Sequence, residues 1–185
     1  MRRVTMLCAA AALSACATTP PPGAPVPLPF RSVQSHFEAG GRLAARNGEQ
    51  AVHGKFTWQH APERDRWDFF SPLGQVVARL NRDGRSATLV TADGSEIVEP
   101  IESLLARMLG MAVPVAALPR WIQAGVAASE DVREFDALGR PARIVDDGWQ
   151  VRYLAYASPA PDARPSSLEV SRGEARLKLV IDSWQ

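Results

Sequence analysis

Residues 52–80 alternate between apolar and polar side chains, and two turn sequences divide the stretch. A period of two indicates β-strands with one apolar face. The turns are Ala61-Pro62-Glu63-Arg64 and Ser71-Pro72-Leu73-Gly74, in which proline presets φ at the second position. We therefore predict consecutive antiparallel strands with their alternating apolar positions at Val52, Phe56, Trp58, Trp67, Phe69, Val76, Ala78 and Leu80.

Leu73 occupies the tip of the second turn, where we expect its side chain to point into solvent. A turn tip usually carries a polar residue, so two interpretations follow. The leucine either folds back over the end of the sheet, or it contacts a membrane or the apolar groove of a partner. A single exposed leucine is ordinary on a protein surface, and the turn alone leaves both interpretations open.

Turn pairs recur at short intervals along the rest of the chain. Asp-Gly or Arg-Gly pairs begin at positions 83, 93, 147 and 172, and Asn47-Gly48 is a hairpin signal. Frequent turns between short alternating runs indicate an antiparallel meander. We predict an early strand over 40–46 and late strands over 132–135, 140–146, 150–156, 167–171 and 176–183, with an irregular loop at 157–165.

Two helices are predicted in the middle of the chain. The first has an apolar stripe between Pro100 and Gly110, made of Ile101, Leu104, Leu105, Met108 and Leu109. The second follows Pro114, holds Pro119 in its first turn and ends at Gly125, with one face formed by Leu118, Trp121 and Ile122. We expect both faces to lie on the concave face of the sheet. A short amphipathic helix is also predicted over 30–37, from the spacing of Phe30, Val33 and Phe37.

The N-terminus has the order of a bacterial lipoprotein signal. Met1-Arg2-Arg3 precedes an apolar run and then Leu13-Ser14-Ala15-Cys16, which looks like a lipobox. We predict a removed signal at 1–15, a lipidated Cys16 that opens a proline-rich tether at 16–29, and one domain at 30–185. The alternative is an ordinary secreted protein in which Cys16 is incidental. Cys8 lies in the removed signal, so no internal disulfide can form.

The residue after Cys16 indicates the location of the protein, and the overall charge limits the classes of partner. Ala17 rather than aspartate follows the cysteine. By resemblance to the sorting rule of Gram-negative lipoproteins, this implies the outer membrane, with the lipid in the periplasmic leaflet. Without Arg2 and Arg3, 19 of the 21 basic side chains remain beside 20 acidic ones. This balance gives no electrostatic case for nucleic acid or for steering toward anionic lipid.

Catalytic and metal-binding patterns are missing from the sequence. His36, His53 and His60 have no metal-ligand spacing. There is no nucleophile elbow, phosphate-binding glycine loop or zinc-protease sequence. His53 and His60 are an odd number of residues apart, so we expect solvated side chains on opposite faces of a strand. We expect no catalytic residue, no metal and no cofactor.

Taken together, these residues resemble the LolB family of outer-membrane lipoproteins. The likeness covers nearly the whole domain and rests on the order of short stretches: 37–43, 54–59, 71–75, 105–114, Leu118 with Trp121-Ile122, and Leu177-Lys178-Leu179 with Asp182 and Trp184. The resemblance implies a mainly β fold, an unclosed antiparallel barrel of about eleven strands with short helices as a lid over an apolar cavity. A lipid anchor at Cys16 favours this family over the related LolA carrier, which has none.

The resemblance implies a receptor that accepts lipoproteins from a LolA-like periplasmic carrier and inserts them into the inner leaflet of the outer membrane. Leu73, with Pro72 and Gly74, looks like the protruding loop that the family needs for membrane delivery. Our candidates for the acyl-chain cavity, which could equally form a closed and dry core, are Phe56, Trp58, Trp67, Phe69, Leu104, Leu105, Met108, Trp121 and Ile122. We expect a monomer.

Two other classes of function are weighed against this one. A structural or assembly lipoprotein that scaffolds partners at the outer membrane predicts a packed core with no void. A cell-wall hydrolase requires a carboxylate or thiol site in a polar cleft, which the sequence does not indicate.

Overall fold

A computed structural model describes residues 32–128 and 131–185, and every structural statement below concerns these residues. They form eleven strands and two short helices. In chain order these are β1 (Phe37–Asn47), β2 (Gln50–Ala61), β3 (Arg64–Phe70), β4 (Val76–Asp83), β5 (Ser86–Thr91), β6 (Glu96–Pro100), α1 (Ile101–Leu109), α2 (Leu118–Trp121), β7 (Val132–Phe135), β8 (Pro141–Asp146), β9 (Trp149–Tyr156), β10 (Pro165–Arg172) and β11 (Ala175–Trp184). Each strand predicted above is present, within three residues at either end.

The strands form one antiparallel sheet in the order β6-β5-β4-β3-β2-β1-β11-β10-β9-β8-β7. Chain neighbours pair within β1–β6 and within β7–β11, so the sheet consists of two meanders. The pairing of β1 with β11, from Ala39–Trp184 to Arg46–Arg176, joins them. Within the described residues, β6 and β7 are the two edges and do not pair with each other, so the barrel is unclosed. The predicted fold class is confirmed.

Both central helices lie between the two meanders in the chain. α1 begins and ends where the sequence predicts, whereas α2 ends at Trp121 and not at the predicted Gly125. Gly110 closes α1 in the left-handed region at φ 69°, which glycine adopts without a Cβ penalty. Pro119 lies in the first turn of α2, which is a single turn. The amide of Gly125 donates to the carbonyl oxygen of Arg120 at 2.9 Å and closes the segment. Among the described residues, no helix is long and apolar enough to span a membrane.

The inner face of the sheet is apolar and belongs to one buried cluster that spans both meanders. It includes Trp58 and Leu80 from the first meander and Val151 and Leu168 from the second. The buried residues of α1, which are Ile101, Leu104, Leu105 and Leu109, are part of the same cluster. The helix therefore covers the concave face with its apolar stripe, as the 3.6-residue period predicts.

His60 also lies on the inner face, and the prediction that its side chain is solvated is wrong. The side chain is 9% exposed, and Nδ1 lies 2.6 Å from Oδ1 of Asp65. The same oxygen accepts a hydrogen bond from Trp58 Nε1 at 2.7 Å, while Arg82 pairs with Oδ2. The β2–β3 register sets His60 opposite Asp65, so the imidazole joins a polar cluster whose members satisfy one another. His53 is exposed on the other face, as predicted.

The predicted helix over 30–37 is also wrong for the residues that the structure describes. Residues 32–36 form no helix, and Phe37 begins β1 opposite His60. The ring of Phe37 lies 5.1 Å from that of Trp58 and 5.5 Å from that of Trp184. Two such aromatic contacts outweigh a helical spacing that rests on three residues. Phe30, the signal at 1–15, Cys16 and the tether at 16–29 lie outside the described residues.

Gly41 generates a stability prediction, because β1 shifts register against β11 between Gly40 and Gly41. A Cβ on Gly41 would lie 2.0 Å from the carbonyl oxygen of Val180, which is backbone and cannot move aside. We expect Gly41→Ala to lower the free energy of unfolding by roughly 1–3 kcal/mol or more. The urea midpoint at unchanged m measures this change.

Gly54→Ala is the matched control on the neighbouring strand. There a Cβ would meet only the carbonyl oxygen of Phe70, at 3.8 Å. We expect its midpoint to stay the same or rise, because alanine restricts the unfolded chain more than glycine does. Equal midpoints for the Gly41 variant and the unsubstituted chain would contradict the close β1–β11 approach.

Candidate functional site

The helical segment and the concave face enclose an apolar hollow, called the hollow below. Twelve residues line it and all are apolar. The sheet contributes Leu43, Phe56, Trp58, Trp67, Phe69, Leu177, Leu179 and Ile181, and the helical segment contributes Leu105, Leu109, Leu118 and Ile122.

Strand register explains why the sheet side of the hollow is continuous. Leu43 of β1 lies opposite Leu179 of β11, so the apolar row of the last strand adjoins that of the first. Trp58 of β2 lies opposite Trp67 of β3, and their rings stack with centroids 5.4 Å apart. Side chains at directly opposite positions pack against each other, so four neighbouring strands present one apolar surface.

The hollow is almost filled in this conformation. Its volume is about 40 Å³, whereas roughly 10–15 Å³ admits a single water molecule. It therefore has room for a few water molecules and none for an acyl chain. Four of its twelve lining side chains, Leu105, Leu109, Leu118 and Ile122, come from the helical segment, so its volume depends on where that segment lies.

The structure brings together most of the predicted cavity residues but not all of them. Six line the hollow: Phe56, Trp58, Trp67, Phe69, Leu105 and Ile122. Leu104 and Trp121 are fully buried elsewhere in the core, and Met108 is partly buried against it. Trp121 instead donates from Nε1 to Asp146 of β8 at 2.8 Å. The binding role assigned to these nine residues stays a prediction.

Six lining residues are absent from the predicted set: Leu43, Leu109, Leu118, Leu177, Leu179 and Ile181. Leu109 and Leu118 belong to the helical stripes, and Leu177, Leu179 and Ile181 occupy alternate positions on one face of β11. The pattern therefore marks them as apolar-face residues. The pattern does not show that β11 pairs with β1, and this pairing places the last strand beside the first.

The two helices are held in different ways. α2 is fixed by polar contacts, because Arg120 and Trp121 both donate to Asp146 and Tyr153 donates to the carbonyl oxygen of Trp121 at 3.0 Å. The polar side-chain contacts of α1 with the sheet are exposed to water: Arg107 pairs with Glu99 of β6 at 2.6 Å, and the side-chain amide of Asn47 donates to the carbonyl oxygen of Gly110 at 2.9 Å. Exposed contacts of this kind contribute little, so apolar packing supplies most of what holds α1 to the sheet.

The turn after β3, residues 71–75, is called the tip loop, and it projects from the strand that carries Phe69. The amide of Gly74 donates to Ser71 at 2.9 Å, and the amide of Ser71 donates to Gln75 at 2.8 Å. Gly74 has φ 83°, so the loop is a three-residue turn closed by a left-handed glycine. Leu73 is 88% exposed. The interpretation in which it folds back over the sheet is therefore wrong.

The lining of the hollow is chemically suited to an apolar ligand. The hollow contains no titratable side chain. Among residues 32–128 and 131–185, no three His, Cys, Asp or Glu side chains are grouped so that they could hold a metal ion. An apolar, orientation-insensitive wall binds hydrocarbon through burial alone.

Comparisons with known proteins point to one family. A family model described as "Outer membrane lipoprotein LolB" matches residues 35–184. The chain is 43% identical to the outer-membrane lipoprotein LolB of Azoarcus sp. (strain BH72) over 178 residues, which cover 96% of this chain and 91% of that protein. It is 38% identical to that of Thiobacillus denitrificans over 196 residues, covering 100% and 98%. Among solved structures, a LolA superfamily protein from Nitrosomonas europaea aligns over 84% of this chain and 88% of that one, at a TM-score of 0.48 and 10% identity, too weakly to carry an argument.

The closed hollow generates a prediction about α1. Leu105 points into the hollow and Leu104 does not, although both are buried. With α1 packed down, we expect Leu105→Ala and Leu104→Ala each to cost about 2–5 kcal/mol of unfolding free energy. Urea unfolding measures both. A small loss for Leu105→Ala beside a full loss for Leu104→Ala would mean that the hollow is open in solution.

Proposed function

This chain belongs to the LolB family of outer-membrane lipoproteins, and we propose that it receives lipoproteins at the outer membrane, holds their acyl chains in the hollow and delivers them to the bilayer. Family membership establishes a role in lipoprotein localization at the outer membrane. The observation that carries the finer proposal is the wholly apolar hollow, whose wall runs through Phe69 toward the exposed Leu73.

The energy of the cargo determines how transfer must proceed. Each methylene exposed to water costs about 0.8 kcal/mol, so one acyl chain of ordinary length costs on the order of 10 kcal/mol. A free intermediate in water is therefore excluded, and the chains must pass from the cavity of a LolA-like carrier directly into this one. Direction then comes from an affinity gradient, with the carrier weakest, this receptor tighter and the bilayer tightest.

The cargo must displace part of the lid before it can enter. Moving α1 away from the sheet exposes its four buried side chains, Ile101, Leu104, Leu105 and Leu109, at roughly 1.5–3 kcal/mol each. Burial of one acyl chain, on the order of 10 kcal/mol, is of similar size, and a triacylated cargo brings three such chains. We propose that α1 moves and α2 stays, because the contacts of α2 with Asp146 and Tyr153 are polar and largely shielded from water.

The proposed delivery step uses the tip loop. Leu73, flanked by Pro72 and Gly74, dips into the periplasmic leaflet and brings the hollow to the membrane surface. Cys16, at the start of the proline-rich tether, carries the lipid that keeps the domain at the outer membrane, with the domain facing the periplasm. The tether then leaves the domain free to tilt toward the bilayer or toward the carrier.

A scaffolding lipoprotein is the second candidate, and one observation favours it. The hollow holds only about 40 Å³ as it stands, which is close to the packed core that scaffolding predicts. Binding of a fluorescent acyl probe separates the two functions, because a scaffold has no reason to open its core to hydrocarbon. We propose the receptor because the lining has no polar residue and the exposed Leu73 follows four residues after Phe69, which lines the hollow.

Leu73→Glu tests the delivery step. A carboxylate at the tip cannot enter hydrocarbon without a large desolvation cost, whereas Leu73 makes no contribution to the core. We expect at least a tenfold loss in transfer of a triacylated lipopeptide into phospholipid vesicles, with acyl-probe binding and the urea midpoint unchanged. The measurement uses the chain with Cys16→Ala, so that the anchor does not mask loss of membrane contact.

Leu138→Glu is the matched control, because Leu138 is 43% exposed in the turn between β7 and β8. We expect this variant to transfer lipopeptide normally. Equal loss of transfer in both variants, or loss of acyl-probe binding by Leu73→Glu, would contradict the role assigned to the tip loop.

A further inference from the structure

A groove of about 430 Å³ lies beside the tip loop, in the corner that β2 forms with the end of β3. Pairing between these strands ends at Lys55 and Phe70, so residues 50–54 of β2 have no partner in β3. The chain of β3 turns away there into the tip loop. The groove, called the corner groove below, is lined by Arg42, His53, Lys55, Phe70 and Pro72, together with Leu43, Gly54 and Ser71.

The cationic side chains of the corner groove face away from the hollow. Phe56 faces the hollow and alternate residues of a strand point to opposite sides, so Lys55 lies on the outer face. Arg42 is directly opposite Lys55 on β1. Like charges at directly opposite positions of an antiparallel pair destabilise the sheet. Asp182 offsets the charge of Arg42, and an anion bound at Lys55 would offset the other charge.

The corner groove also lacks the carboxylates that neutralise two other surface grooves. The groove along β3–β5 contains Asp65 and Asp83 beside its arginines, and the groove near α1 contains Glu63 and Glu102. No Asp or Glu lines the corner groove. Arg42 pairs with Asp182 at 3.0 Å, outside the lining. Among the described residues, Lys55 has no ion pair and no side-chain hydrogen bond, and it is exposed.

We propose that the corner groove binds the phosphate of a membrane phospholipid headgroup when the tip loop enters the bilayer. The inference rests on the proposed function, because Leu73 brings the groove to the membrane. Phosphate is the anion that a membrane surface offers at this depth, and lysine and arginine donate charge-assisted hydrogen bonds to it. The near-neutral net charge of the chain does not oppose headgroup binding, because a headgroup interacts mainly with charges that lie within about a Debye length of it.

The corner groove also adjoins the hollow. Leu43 lines both, with Gly54 offering no side chain opposite it. A phospholipid whose headgroup binds at Arg42 and Lys55 would therefore lie beside the wall of the hollow, where that wall contacts the leaflet. The headgroup site fixes the domain in one orientation, with Leu73 inserted and this corner against the membrane.

The test uses the chain with Cys16→Ala and vesicles of phosphatidylethanolamine and phosphatidylglycerol. A lysine near an anionic membrane surface contributes to the free energy of binding. We therefore expect Lys55→Gln to raise the Kd for the vesicles about fivefold. Lys55→Arg keeps the charge and should stay within twofold. Arg64→Gln is the matched control, because Arg64 is 78% exposed at the opposite end of β3. This substitution removes the same net charge as Lys55→Gln.

Equal losses for Lys55→Gln and Arg64→Gln would overturn the site, because they would show a response to total charge. An unchanged Kd for Lys55→Gln would overturn it too. Leu73→Glu separates this inference from the proposed function. If Leu73→Glu loses vesicle binding and Lys55→Gln does not, the delivery role stands and the headgroup site fails. If Lys55→Gln loses binding and Leu73→Glu does not, the headgroup site stands and the insertion role of the tip fails.

A local readout completes the test. Dihexanoylphosphatidylglycerol, added below its micelle concentration, should shift the backbone amide signals of Arg42, His53 and Lys55 in nuclear magnetic resonance spectra. Dihexanoylglycerol, which has the same chains and no phosphate, should leave these three signals in place. Equal shifts with both lipids would overturn phosphate recognition.

Discussion

Contact between the lid and the concave face is the interaction on which the rest of the structure depends. A sheet that curls without closing has an inner apolar surface too broad for its own side chains to cover. The two central helices connect the halves of the sheet in sequence, and they place Leu105, Leu109, Leu118 and Ile122 against that surface. Apolar contact of this kind is non-directional, so hydrocarbon from another molecule is able to replace it.

The polar contacts divide the lid into a fixed and a replaceable part. Asp146 accepts from both Arg120 and Trp121, and breaking such a shielded cluster leaves polar groups unsatisfied. In the proposed mechanism, α1 gives up its leucine contacts, which an acyl chain would supply again, and its exposed ion pair between Arg107 and Glu99. The buried cluster of Trp58, His60, Asp65 and Arg82 anchors the sheet beneath. The proposed opening is then an exchange of similar burial energies rather than a loss.

Local patterns in the sequence predict much of this architecture. Alternation identifies Phe56, Trp58, Trp67 and Phe69 as one face, and the proline turn predicts the exposed Leu73. The apolar stripe of α1 predicts which side of the helix is buried but not which of its residues line the hollow. Leu104 and Leu105 therefore cannot be distinguished from the sequence pattern. Long-range register decides the rest. His60 is buried because β3 sets Asp65 opposite it, and Leu177, Leu179 and Ile181 join the hollow because β11 pairs with β1.

The distance between α1 and the sheet tests the displacement of the lid most directly. Spin labels at Ser103 on α1 and Lys178 on β11, both exposed positions, report that distance by pulsed electron paramagnetic resonance in the chain with Cys8→Ala and Cys16→Ala. A second pair at Ala116 and Lys178 reports the segment just before α2. On binding of a triacylated lipopeptide, the account predicts that the Ser103–Lys178 distance lengthens and the Ala116–Lys178 distance stays the same. Saturated lipopeptide binding with both distances unchanged would contradict it.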